Sequence, residues 1–108
     1  MENTISLKDL PIKHKLVLFL ILKVGSAKTI YNIGQTTNLL GCHIENLLLI
    51  LKDLSNLKLI DVLSNTDSPS IYRATDKGKK LIEINEESYK LQVLSFIDKK
   101  DLFLKICN

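Results

Sequence analysis

Residues 16–22 read LVLFLIL, seven apolar side chains in succession. Asp9-Leu10-Pro11 upstream supplies an N-cap residue and a proline tolerated in a first helical turn. Lys23-Val24-Gly25 downstream supplies a basic last turn and a C-cap glycine. Between them the sequence predicts a helix of about four turns, and a helix apolar on every side must be covered on more than one face. The run falls far short of the ~20 residues that span a bilayer, and it has no small-residue cleavage site after it, so no membrane partner and no signal peptide are expected. A chain of 108 residues can build one core but not two. Either the rest of the chain wraps this helix, or a partner subunit shares it.

Composition narrows the class. The hydrophobic fraction of 45% excludes disorder, and Leu and Ile supply 34 residues against six aromatics, so the core is aliphatic. Four glycines and two prolines are too few for an all-β chain of tight turns. Cys42 and Cys107 form no Cys-x-x-Cys and have no histidine pair, which argues against a disulfide scaffold or zinc module and for a reducing, cytoplasmic setting. No glycine-rich phosphate loop, nucleophile–base set or paired carboxylates are present, so neither an enzyme nor a cofactor is expected. The net charge of +3 permits a nucleic-acid partner. Arg73 is the single arginine, leaving one candidate for bidentate guanine reading.

Along the chain the reading is helix, helix, helix, hairpin, helix: mainly α with a small β-hairpin. Ser26 and Thr29 offer caps for a short second helix with Ile30 and Ile33 inside, and residues 34–38 read as a frayed end and turn. From Gly41 or Cys42, Ile44, Leu47, Leu48, Leu51 and Leu54 recur at helical steps as a third helix. Residues 57–63 and 71–75 read as strands around a turn-rich stretch at 64–69. Thr75 opens a long last helix to Ile97, followed by an interruption at 98–101 and an apolar tail at 102–106. No linker splits the chain, so residues 1–108 form one domain, with 76–108 as a C-terminal dimerisation helix and tail.

Tyr72-Arg-Ala-Thr75-Asp-Lys77-Gly78 resembles the second wing strand of MarR- and PadR-type regulators, where aromatic-x-x-Thr-x-x-Gly leads into the C-terminal helix. Leu51-Lys-Asp-Leu54-Ser-Asn-Leu57-Lys-Leu59-Ile60 resembles the end of their recognition helix and the start of the wing. Residues 23–29 are similar to the opening of the second helix in small archaeal winged-helix dimers, some of them chromatin-associated. Together these cover about residues 10–97, and residues 10–75 would hold the helix-turn-helix and wing. Lys58 stands where those families usually have glycine, and residues 47–51 (LLLIL) make the third helix unusually apolar. The resemblance implies a winged helix-turn-helix that binds double-stranded DNA as a homodimer, a transcriptional regulator or nucleoid-associated organising factor.

The expected DNA-binding residues follow from that frame. Lys28 and Thr29 begin helix two, where free backbone N–H groups favour phosphate. Cys42, His43, Glu45 and Asn46 form the polar first turn of helix three, with Asn46 suited to adenine and Glu45 to a cytosine amino group. Cys42 at a helix N-terminus would have a lowered thiol pKa. Arg73 flanks the wing. Lys77, Lys79 and Lys80 oppose the dipole at the start of the last helix, a placement that an anion would relieve; Glu83 offers them ion pairs instead. At the dimer interface we expect Leu18 and Leu20 of helix one, Ile97, and a short seam of Ile84, Leu91 and Leu94 spaced by seven and three. Tyr89, Val93 and Phe96 form a second stripe toward helix one. A winged-helix adaptor that binds a protein partner is the alternative, favoured by weak charge and an apolar helix three.

Overall fold

In the computed structural model, which describes residues 9–64 and 66–107, the order is α1 (Ile12–Lys23), α2 (Ile30–Leu39), α3 (Leu47–Asn56), β1 (Ile60–Leu63), β2 (Ile71–Ala74), α4 (Asp76–Phe96) and α5 (Lys100–Ile106). The expected domain of 1–108 includes residues 1–8, 65 and 108, which lie outside the described ones, as does Asn65 of the expected turn. The chain is mainly helical with one antiparallel hairpin. No helix among the described residues is long and apolar enough to cross a membrane.

α1 lies at the centre. Leu16, Val17, Leu18, Phe19 and Leu20 are fully buried, and Ile21 nearly so. α4, α3, β2 and α2 all pack on it. The tail at 102–106 is a helix, α5, that folds back on α1: Phe103 meets Phe19 edge-on, with ring centroids 5.9 Å apart and planes at 67°. The chain therefore covers α1 by itself. Leu18 and Leu20, expected at a dimer interface, are inside the protomer, and so is Ile97 at 1% exposure. They are core residues, and an apolar α1 is no reason for a partner. The stripe of Tyr89, Val93 and Phe96 does turn inward, and the Lys15 ammonium sits 4.7 Å from the centre of the Tyr89 ring.

Helix ends differ from their expected places for local reasons. Pro11 has φ −62° and ψ 158°, so α1 starts one residue after it, and Asp9 is not its N-cap. At the far end Val24 is extended and is the C-cap in place of Gly25. α2 does not fray at Gly34 but runs to Leu39, with the Thr36 and Thr37 hydroxyls donating to the Asn32 and Gly34 carbonyls at 2.9 and 2.8 Å. It closes in a Schellman motif: the Cys42 amide donates to the Thr37 carbonyl, the Gly41 amide to the Asn38 carbonyl, and Gly41 has φ +78°. Gly41 and Cys42 are thus spent on ending α2, and α3 begins only at Leu47.

α3 ends in the same way. The Leu59 amide donates to the Leu54 carbonyl and the Lys58 amide to the Ser55 carbonyl, with buried Leu54 and Leu59 supplying the accompanying apolar pair. The left-handed position is Lys58, at φ +64°. It is the one described residue other than glycine with a positive φ, and it stands where the winged-helix resemblance puts glycine.

The hairpin pairs Ile60 with Ala74, Asp61 with Arg73, Val62 with Tyr72 and Leu63 with Ile71. Its inner edge is tied to the stretch between α1 and α2, since the Tyr72 amide donates to the Lys28 carbonyl at 2.7 Å. Thr75 then locks the start of α4. Its hydroxyl accepts from the Gly78 amide and donates to the Lys58 carbonyl, while its own amide donates to the Leu59 carbonyl. A Cβ on Gly78 would run into that Leu59 carbonyl oxygen, so the Thr-x-x-Gly spacing is a cap plus a close backbone approach. Further along, Asn85 leaves the helix geometry (φ −112°, ψ 18°) and donates from Nδ2 to the Leu81 carbonyl, so α4 is two helical pieces meeting at a kink.

Two stability predictions follow from these contacts. Phe103→Ala removes the ring that covers α1 and lowers unfolding free energy by about 3–5 kcal/mol, read as a shift in urea midpoint at constant slope. Lys58→Gly relieves the left-handed residue and raises stability by about 0.5–1 kcal/mol; a fall would show that the Lys58 side chain contributes more than its strain costs.

Candidate nucleic-acid interface

The expected contacts divide into three groups. The first lies where the start of α2 meets the hairpin. Lys28 is exposed, and it shares a shallow cleft with Leu63, Ile71 and Arg73. Arg73 is also exposed, and faces Asp61 across the hairpin. Thr29 is different. Its hydroxyl accepts from the Asn32 amide at 3.1 Å and donates to the Asn32 side-chain oxygen at 2.7 Å, so it is engaged as the N-cap of α2.

The second group precedes α3. His43, Glu45 and Asn46 are exposed, but they sit in the irregular stretch before the helix and not in its first turn. The Asn46 side chain makes no capping bond, which leaves its amide open to a ligand. Cys42 is buried, with its thiol 3.4 Å from the Thr37 carbonyl oxygen, and cannot meet DNA. Its pKa is pushed up to about 11, by burial first and by the nearby Asp98 carboxylate second. The expected lowering at a helix N-terminus is reversed, because Cys42 belongs to the closure of α2.

The third group begins α4. Lys77 donates from Nζ to the Leu57 carbonyl at 2.9 Å. That carbonyl is at the C-terminal end of α3, where a cation is favoured. The misplaced charge at one helix start is therefore well placed for its neighbour's end. Lys79 and Lys80 are exposed, and among the described residues they form no ion pair, including the expected one with Glu83. The described ion pairs lie elsewhere, as in Glu86 held between Lys23 and Lys90.

On the outer side of α4, Ile84 and Leu91 are 77% and 67% exposed, while Leu94 is half-buried against the core. The Asn85 kink falls between Ile84 and Leu91, so the expected seam is not a continuous coiled-coil face.

Sequence reading missed the pairing of His14 with Asp53. The imidazole Nε2 lies 2.8 Å from the Asp53 carboxylate, joining the first turn of α1 to the middle of α3, and Nδ1 is buried with no hydrogen-bond partner among the described residues. Thirty-nine positions separate the two residues, and no local spacing signals a contact between them. The pair draws Asp53 to the inner edge of α3, so Lys52 is the charge that helix offers to solvent.

Both thiols are buried, and burial pushes the Cys107 thiol up to about 11 as well. Native protein at neutral pH should therefore react with a thiol reagent only as fast as it opens, and both cysteines should label at once in urea. The unfolded thiols ionise near the ordinary 9.0 and the folded ones near 11, so stability is unaffected below about pH 9 and falls as pH rises from there toward 11. A urea midpoint that rose over that range would contradict the assignment.

Compared with models of protein families, with curated proteins and with solved structures, the chain returns no match.

Proposed function

We propose that this chain is a winged helix-turn-helix protein that binds double-stranded DNA as a homodimer, a cytoplasmic, nucleoid-associated transcriptional regulator or DNA-organising factor. The observation that carries the reading is the seating of the hairpin. The Tyr72–Lys28 hydrogen bond sets β2 beside the stretch that leads into α2, with Lys28 and Arg73 in a common cleft, and α3 packs on β1. A wing beside a helix-turn-helix is the arrangement that places one helix in the major groove and basic residues on flanking phosphates.

Phosphate anchoring falls to Lys28, Arg73, Lys79 and Lys80, whose charges are exposed. Thr29 and Lys77 act within the fold, and Cys42 is withdrawn from the surface. With a net charge of only +3, binding is modest and dominated by the backbone. The dimer contact rests on Ile84 and Leu91, which are 77% and 67% exposed among the described residues.

A specific observation favours the second reading, a winged-helix adaptor for a protein partner: Leu48 and Leu49 of α3 are more than half exposed. Low-salt duplex binding separates the two. On the DNA reading, with two or three of those four cations per protomer on phosphate, four to six contacts per dimer make affinity fall about 10²–10³-fold between roughly 50 and 200 mM salt. Lys28→Glu with Arg73→Glu should abolish binding while leaving the helical circular dichroism intact. Unchanged binding by that variant would overturn the proposed anchor, and no binding by the native chain would leave the adaptor. In sedimentation, native protein should run at about twice 12.2 kDa and the Ile84→Asp, Leu91→Asp variant at 12.2 kDa. Native protein at 12.2 kDa would remove the homodimer.

A further inference from the structure

Phosphate anchoring gives no reason for the outer face of α3 to be apolar. Leu48 and Leu49 are 51% and 56% exposed there, and with Glu45, Asn46 and Lys52 they line one shallow depression. Two neighbouring leucines with about half their surface in water are unfavourable there. The charge around them is selective. Asp53 is drawn away by His14, so Lys52 is the charged side chain of α3 on this face, and Asn46 before the leucines and Asn56 after Lys52 add exposed side-chain amides. Glu45, at the N-terminal edge, would repel a phosphate and so directs that edge toward base edges. An apolar pair bordered by a cation and amides complements one kind of groove floor. A·T pairs present the thymine C5-methyl, the apolar group of the major groove, beside the adenine N7 acceptor and N6 donor that suit an asparagine amide.

We infer that Leu48 and Leu49 read thymine methyl groups, making A·T-rich duplex the DNA this protein prefers. The inference rests on the DNA-binding reading above; on the adaptor reading the same two leucines meet a protein, and the native chain binds none of the duplexes below. Consecutive helix residues are about 100° apart around the axis, so Leu48 turns toward the hairpin, beside Val62 and Tyr72, and Leu49 toward the start of α1, beside Pro11 and Ile12. Side chains that diverge in this way meet methyl groups on different base pairs of the groove floor. Lys52, one turn beyond Leu48, is then placed for the phosphate edge of the same groove.

The test uses the full chain and four duplexes of equal length: an A·T-rich duplex, the same with deoxyuridine for every thymidine, a G·C duplex, and that duplex with 5-methylcytosine. Removing the methyl groups should weaken binding about three- to tenfold, and adding them to the G·C duplex should strengthen it. Leu48→Ala with Leu49→Ala should bind the thymidine and deoxyuridine duplexes equally, with the salt dependence of the native chain. Because the methyl is removed from the DNA, the result does not depend on how the variant folds. Equal affinity of the native chain for the two A·T duplexes, with salt-dependent binding retained, would overturn this inference and leave the DNA reading standing. Binding to none of the four would overturn both.

Discussion

Burial of α1 is the constraint on which the rest of the molecule depends. Five consecutive residues, Leu16 to Leu20, have no exposed surface, so the helix needs apolar neighbours in every direction around its axis. Each such side chain left in water would forgo about 1.5–3 kcal/mol, which makes partial coverage untenable for a small domain. The fold answers with α2 and α3 on one part of the circumference, the hairpin on another, and α4 with α5 closing the remainder. Phe103 is as essential to that enclosure as any residue of α2 or α3, although it lies in the last helix.

Enclosing α1 sets the lengths of the connections. α2 and α3 must both reach it, and each ends in a tight closure that turns the chain at once: Gly41 at φ +78°, Lys58 at φ +64°. The first closure takes Cys42 into the core and moves the start of α3 to Leu47. The second sets the Lys58 and Leu59 carbonyls where Thr75 can bind them, and Gly78 lets α4 approach without a clash. A motif that looks like a family signature in sequence is, in structure, a set of hydrogen bonds holding the hairpin between α3 and α4.

The same geometry distributes the polar residues. Lys77 and Thr29, placed by sequence on a phosphate-binding surface, are taken up by a helix end and a helix cap. Asp53 is withdrawn by His14. The exposed surface is consequently basic at the hairpin cleft and at the start of α4, and apolar along α3. On the reading proposed above, the basic parts meet the DNA backbone and the apolar face of α3 meets the groove.

Apart from α5, which reads as a tail, the element types and their order were legible in the sequence, because helical periodicity, caps and turn residues act over a few positions. Thr29 and Thr75 were recognisable for that reason, and the inward stripe of Tyr89 and Val93 followed from spacing alone. The role of α5 was not legible, since four apolar residues after a charged break do not say which surface they will meet. Nor was the choice between a helix covered by its own chain and one shared with a partner, which turned on Phe103 reaching Phe19. Cys42 and Lys77 carry local signals that point outward, and tertiary neighbours reversed them: Thr37 and Asp98 for the thiol, the end of α3 for the ammonium. His14 and Asp53 needed two helices to cross before they were a pair. Local patterns determine which segments form and which face is apolar, because their energies are set within one or two turns. Which face meets which, and therefore which charges remain at the surface, is decided only when the whole chain competes for the space around α1.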